Sequence, residues 1–192
     1  MGEHPTHEVW LVRHAETEWS RDGKHTGHTD VSLTDKGREA ARGLGERMAS
    51  RSFARVLTSP LERARETAQL AGIGAHAEAS DDLLEWNYGA YEGITTAEIR
   101  DRRPGWYLWS DGAPGGESPE AVAARCDRVI AEVLGTAGDV ALVAHGHILR
   151  ALAARWVEEP VAFGGRLFLS TGTLSVLGFE REVRVVRSWN AV

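Results

Sequence analysis

One cysteine, Cys126, stands in a chain of 192 residues. No intrachain disulfide can form, so the fold must rest on its own core, and a reducing, cytoplasmic setting is the expectation. No apolar run approaches the roughly 20 residues that a membrane-spanning helix needs, and no membrane partner is expected. The opening MGEHPTHE has no basic stretch leading into an apolar segment, so no secretory signal is expected, and residues 1–7 read as a flexible leader. Positive charge is not in excess either. Lys and Arg number 22 against 28 Asp and Glu, a formal net charge of -6. That balance argues against duplex nucleic acid as a partner, although a few arginines can still dominate one pocket. Internal repeats, low-complexity blocks and linkers are also missing.

What remains is an ordinary globular composition, 42% hydrophobic and 26% charged, of a size that suits a single domain over residues 1–192. Short apolar runs alternate with helical patterns, which predicts an α/β fold. EVWLV (8–12), FARVLTS (53–59) and DVALVAH (139–145) read as strands. RLFLS (166–170), TLSVLGFE and VRVVRSW are β-rich, the last two forming a hairpin that turns near Arg181 and Glu182. LTDKGREAARGLGERMAS reads as a helix capped by Thr34, with Ala40, Ala41, Leu44 and Met48 on one face. In SPLERARETAQLAG, Ser59 reads as a cap, Pro60 as the first helical residue, Glu62 as the other half of a capping box and Gly72 as the stop. A shorter helix follows at 95–105, with Thr95 and Glu98 as its capping box. Another starts at Ser118-Pro119 and runs to about Leu134. A last one begins near His147.

Two strands end in histidine. WLVRHA puts Arg13 and His14 at one carboxyl end, and LVAHGH puts His145 at another, where open α/β sheets bind ligands. The helix after His145 offers free N–H groups and a positive dipole end, which favour an anion. Arg63 lies in the first turn after a third strand. Alone, an Arg-His pair or a helix arginine is ordinarily a solvated residue. His145 and His147 could pair on a metal, but no third ligand stands at a metal spacing. Together, two arginines, two histidines and a helix N-terminus on one edge outline a phosphate pocket.

The same residues carry a resemblance. LVRHAETEWS, HTGHTDVSLTDKG, SPLERARETA, LLEWNYGAYEG, PGGES and LVAHGHILRAL, in that order across residues 9–189, resemble the histidine phosphatase superfamily, the phosphoglycerate-mutase-like enzymes. The resemblance implies a three-layer α/β/α sandwich with a mixed, mostly parallel sheet. It implies that His14 is the nucleophile, that Arg13, Arg63 and His145 hold the phosphoryl oxygens, and that Glu85 is the proton donor. Lys24, His25, Thr26, Gly27 and Gly146 would be substrate contacts. No metal or cofactor is implied, so activity should survive EDTA. The partner would be a small phosphorylated metabolite, and the protein a monomer or homodimer. The strings HTGHTD, WNYGAYEG and WYLWSDG resemble most the acid phosphatase and sugar-bisphosphatase branches, including sedoheptulose-bisphosphatase. A phosphoglycerate mutase, or a phosphate-binding module without turnover, is the alternative.

The chemistry suits these residue types. A histidine nucleophile must be neutral to attack. Two guanidinium groups disfavour its imidazolium form, and its second ring nitrogen should donate to a backbone carbonyl. The planar guanidinium fork matches phosphate oxygens. Two departures stand out: Ala15 occupies a position where the superfamily usually has Gly, and Ser20 replaces a common Asn. A methyl group at position 15 could crowd the phosphate. Trp86, Tyr88, Trp106 and Trp109 either wall the pocket or pack the core. Arg21, Lys24, His25 and His28 either meet a second phosphate or are simply solvated. Gly115, Gly116 and Ser118 either reach the pocket mouth or only make a turn and a cap.

Overall fold

The computed structural model describes residues 7–192, so most of the expected leader lies outside the described residues. His7 is described, and its ring packs edge-on to Phe179 with centroids 5.8 Å apart. Among the described residues six strands form one sheet: β1 (Val9–Arg13), β2 (Arg55–Thr58), β3 (Ala77–Ala79), β4 (Val140–Ala144), β5 (Leu174–Glu180) and β6 (Val183–Ala191). Their order is β3-β2-β4-β1-β5-β6. The first four in that order run parallel, and β5 and β6 are antiparallel. The helices are α1 (Glu18–Arg21), α2 (Asp35–Met48), α3 (Glu62–Leu70), α4 (Thr96–Arg102), α5 (Leu108–Asp111), α6 (Pro119–Leu134) and α7 (Gly146–Trp156). None among the described residues is long and apolar enough to cross a membrane.

The three layers follow from period-two alternation. Val9 and Leu11 of β1 pack with α6 and α7 residues such as Val129 and Ile148. Trp10 and Val12 face the other way, onto Leu44 and Met48 of α2 and Ala64 and Ala68 of α3. A strand buried on both faces reads as an unbroken apolar run, which is why VWLV and VALVA carry no polar alternation. Each large aliphatic side chain buried this way is worth roughly 1.5–3 kcal/mol. The parallel register pairs Arg13 with Ala144 and Thr58 with Val143, so β1, β2 and β4 end at one level. That shared edge positions the site.

Several local expectations need correction. Helix α3 begins at Glu62 with Leu61 as its uncapped N-cap residue, and neither Ser59 nor Pro60 belongs to it. The Glu62 N–H is taken instead by the Asp30 carboxylate at 2.9 Å. Helix α7 starts at Gly146, one residue early. Ala40 is exposed, and Gly37 takes its place on the buried face of α2. RLFLS forms no strand, because a 3-10 turn over Val161–Arg166 runs into irregular backbone there. The short strand β3 carried no apolar signal. By contrast, the Thr95–Glu98 capping box, the Ser118 cap, the Gly72 stop at φ 76° and the turn through Arg181 at φ 56° lie where expected.

Candidate active site

The backbone at His14 is tied on both sides. Its N–H continues the parallel ladder to Ala144 O at 2.9 Å, and its carbonyl accepts from Gly172 N at 3.1 Å. The next N–H, of Ala15, donates to Thr67 Oγ1 at 3.1 Å. The imidazole is therefore presented by the sheet edge itself rather than by a mobile loop. Its Nδ1–H donates to Ala15 O at 2.8 Å. That bond leaves Nε2 with the lone pair. Burial, followed by the charges of Arg63 and Arg13, holds the ring well below the usual histidine pKa.

Arg13, His14 and Glu85 line one pocket of about 230 Å³, together with Ser20, Gly23, Lys24, His25, Thr26, Tyr88, Thr96 and His147. The Arg13 guanidinium lies against Gly146, where an added Cβ would come within 3.1 Å of Cζ. Gly146 is thus a close-approach glycine rather than a pocket-lining contact. Arg13 donates from Nη1 to Leu169 O, while its buried Nε–H has no partner among the described residues. A buried donor without an acceptor is costly, and the residue that carries it lines a pocket sized for an anion.

Arg63 and His145 stand just behind this surface, both fully buried and absent from the lining. Arg63 donates to Thr29 O at 2.9 Å and to Gly27 O at 2.8 Å, with a longer bond to Thr26 O. Its Nε–H donates to His145 Nδ1 at 3.1 Å. Arginine has no acceptor, so His145 must carry its proton on Nε2, which donates to Ser59 Oγ at 2.7 Å. Burial and the Arg63 charge push His145 well below its ordinary pKa. Both ring nitrogens are occupied, so His145 is not half of a metal pair with His147. Ser59, read as a helix cap, instead orients this imidazole.

The N-terminus of α7 does bind an anion, but the anion is the protein's own. Glu85 accepts from His147 N at 3.0 Å, Ile148 N at 2.9 Å and Trp86 N at 2.8 Å. The helix dipole thus fixes the carboxylate beside the pocket instead of a ligand. Tyr88 OH and His147 Nδ1 are hydrogen-bonded at 2.7 Å. Burial raises the Tyr88 pKa and, with the Arg150 charge second, lowers that of His147, so both are neutral.

Among the aromatic candidates only Tyr88 reaches the pocket. Trp86, Trp106 and Trp109 belong to the main core cluster. Lys24, His25 and Thr26 line the pocket. Gly27 does not; its N–H is held by Glu92 at 2.8 Å. Arg21 and His28 are exposed and outside the lining. Burial drops His25 to a pKa of about 4, leaving Lys24, among the described residues, as the one cation in the lining apart from Arg13. The Ala15 methyl sits in a small buried cluster with Leu33 and Ala41, away from the pocket. Ser20 bonds back onto Thr17 in a capping box. Sequence reasoning missed Thr96 and Gly23 as lining residues, and neither carried a distinguishing signal.

A neutral imidazole, a buried guanidinium whose Nε–H has no partner among the described residues and a fixed carboxylate around one small cavity make an arrangement that can carry phosphoryl transfer at an α/β sheet edge. The chain belongs to the histidine phosphatase superfamily (branch 1), whose family model matches residues 9–192. An acid phosphatase of Mycobacterium tuberculosis is 42% identical over 182 residues, spanning 93% of this chain and 89% of that protein. Sedoheptulose 1,7-bisphosphatase of Saccharomyces cerevisiae is 35% identical over 178 residues, spanning 76% of this chain and 66% of that one. The solved structure of an open reading frame from M. tuberculosis superposes with a TM-score of 0.93 at 40% identity, covering 97% of this chain and 98% of its own. The expected fold class and the phosphatase class of hydrolase both stand.

Proposed function

We propose that the chain hydrolyses small phosphomonoesters through a phosphohistidine on His14. The observation that carries this reading is the His14 Nδ1–H bond to Ala15 O, which leaves Nε2 unprotonated in a side chain lining the pocket. In the first step Nε2 bonds to phosphorus as the bond from phosphorus to the ester oxygen breaks. Glu85, at the same pocket, takes up the proton of the bound monoanionic ester and passes it to the departing alkoxide. In the second step Glu85 takes a proton from water as that water attacks phosphorus, releasing inorganic phosphate and restoring the imidazole. Arg13, which lines the pocket, meets the phosphoryl oxygens directly through its guanidinium. Arg63 and His145 act from behind, Arg63 as buried positive charge. Such transfers depend mainly on positioning and charge stabilisation.

The substrate is a small, hydroxyl-rich phosphate ester. Ser20, His25, Tyr88, Thr96 and His147 offer neutral polar groups around the cavity, and Lys24 suits a second anionic group such as that of a sugar bisphosphate. We place the protein in the cytoplasm, as a monomer or homodimer, with its single thiol, Cys126, buried and pushed up to a pKa of about 12. The test is a phosphate-release screen across sugar phosphates, bisphosphates and phosphoglycerates, with His14→Ala as control. Release of phosphate by the wild type alone supports the reading. An isomerised phosphoglycerate without release indicates a mutase, and no turnover of any ester indicates a binding module.

A further inference from the structure

Glu85 sits in a stretch with no ladder to hold it. Between β3 and α4 the backbone makes only 3-10 turns, at Asp81–Leu83 and Gly89–Tyr91. The N-terminus of α7 holds the carboxylate itself, but no ladder holds the backbone that carries it. The side-chain bonds that reach this backbone from outside the segment come from α6 and from Glu117 just ahead of it. Arg125, half-buried on that helix, donates from Nη1 to Asp82 O and Leu84 O, both at 2.9 Å. Its Nε and Nη2 grip the two oxygens of Glu117 at 2.8 Å each. Glu117 in turn accepts from Asn87 N at 2.9 Å, while its own N–H donates to Asn87 O at 2.9 Å and its carbonyl accepts from Trp86 Nε1 at 3.0 Å. The adjoining glycines let the two segments touch. A Cβ on Gly116 would stand 2.1 Å from Asn87 O, and one on Gly89 would stand 2.3 Å from Pro114 O.

We infer that the Glu117–Arg125 ion pair is a positioning clamp for the proton donor, holding residues 82–87 so that Glu85 meets the leaving oxygen. Neither side chain touches Glu85 or lines the pocket; both act through the backbone on either side of it. One rigid, 16-residue helix carries Arg125, and Glu117 stands just ahead of its Ser118 cap, so the pair forms a fixed jaw. Arginine is required because one planar group must serve two carbonyls and a carboxylate at once. A half-ångström drift of an acid costs proton transfer while leaving substrate binding almost unchanged. The inference rests on the proposed role of Glu85 as acid.

The test compares phenyl phosphate with 4-nitrophenyl phosphate, which differ in leaving-group basicity far more than in shape. Arg125→Met should lower kcat for phenyl phosphate about 10-fold and for the nitrophenyl ester less than about 3-fold, with KM nearly unchanged. Arg125→Lys should recover part of the loss. Glu85→Gln should cost the phenyl ester about 10²-fold or more, and adding Arg125→Met to it should cost nothing further. Amide exchange at Asn87 and Glu117 should quicken in Arg125→Met while α7 stays protected. Glu117→Gln, which keeps an oxygen for Asn87 N–H, should show the same pattern more weakly and gives the reading should Arg125→Met not fold. Equal losses on both esters in the clamp variants, or a further loss on top of Glu85→Gln, overturn the clamp alone. Equal losses on both esters in Glu85→Gln itself overturn the acid role, and the clamp with it.

Discussion

Arg63 donates its Nε–H to His145 Nδ1 at 3.1 Å, and this one bond decides the chemistry of the second histidine. It forces the His145 proton onto Nε2, from which it is donated in a hydrogen bond to Ser59 Oγ. Ser59→Ala removes that acceptor and leaves a buried N–H unpaired. Loss of one such neutral bond should lower kcat/KM by about 3- to 10-fold, with a comparable loss of stability of about 1 kcal/mol. Steady-state kinetics beside thermal unfolding check it; an unchanged kcat/KM would show that the orientation of His145 is immaterial.

Lys24 is the pocket's cation beyond the phosphoryl cradle, since burial leaves its neighbour His25 neutral near pH 7. Lys24→Ala should raise KM for a sugar bisphosphate about 10-fold, the worth of one charge-assisted bond, and change KM for the matching monophosphate about 2-fold or less. Equal changes for both would mean that the second phosphate lies elsewhere.

The Ala15 methyl packs with Leu33 and Ala41 rather than toward the phosphate. Ala15→Gly should therefore bring no gain in kcat. It should cost about 1–2 kcal/mol of stability, from one lost buried methyl and the added freedom of glycine in the unfolded chain. Denaturant unfolding measures the cost, and a marked rise in kcat would show that the methyl does obstruct the site.

Acid should weaken the fold in a defined way. His14, His145 and His147 are held well below the ordinary histidine pKa, and His25 at about 4. Below about pH 6.5 the unfolded chain takes up protons that the folded chain refuses, so stability falls as pH falls. Each histidine adds up to about 1.4 kcal/mol per pH unit to that slope. Unfolding free energies between pH 7.5 and 5 should decline with a slope worth more than one proton. His25→Gln should make the slope shallower, and an unaltered slope would contradict the assignment.

The fold and half of the site were legible because their signals are local. An apolar run ending in histidine marks a buried strand reaching the sheet edge, and VWLVRH and VALVAH both obey that rule. Other features were hidden because their partners are distant. Ser59, followed by Pro60 and Glu62, looked like a capping box, yet its partner is His145, 86 residues away. The α7 N-terminus looked free for a ligand, whereas Glu85 fills it from 62 residues upstream. Arg125 carried no signal at all, since no periodicity reveals that a side chain will cap two carbonyls of a remote loop. The tryptophans could be read either way, and packing resolved three of them into the core.

The central claim is that His14 Nε2 accepts the phosphoryl group. The most direct measurement is rapid acid-free quenching of the enzyme with ³²P-labelled 4-nitrophenyl phosphate, followed by peptide mapping. The account predicts a base-stable, acid-labile label, stoichiometric with the burst of nitrophenol, on the peptide carrying residue 14 and absent from His14→Ala. A burst without label on that peptide, or label in the His14→Ala protein, would contradict it.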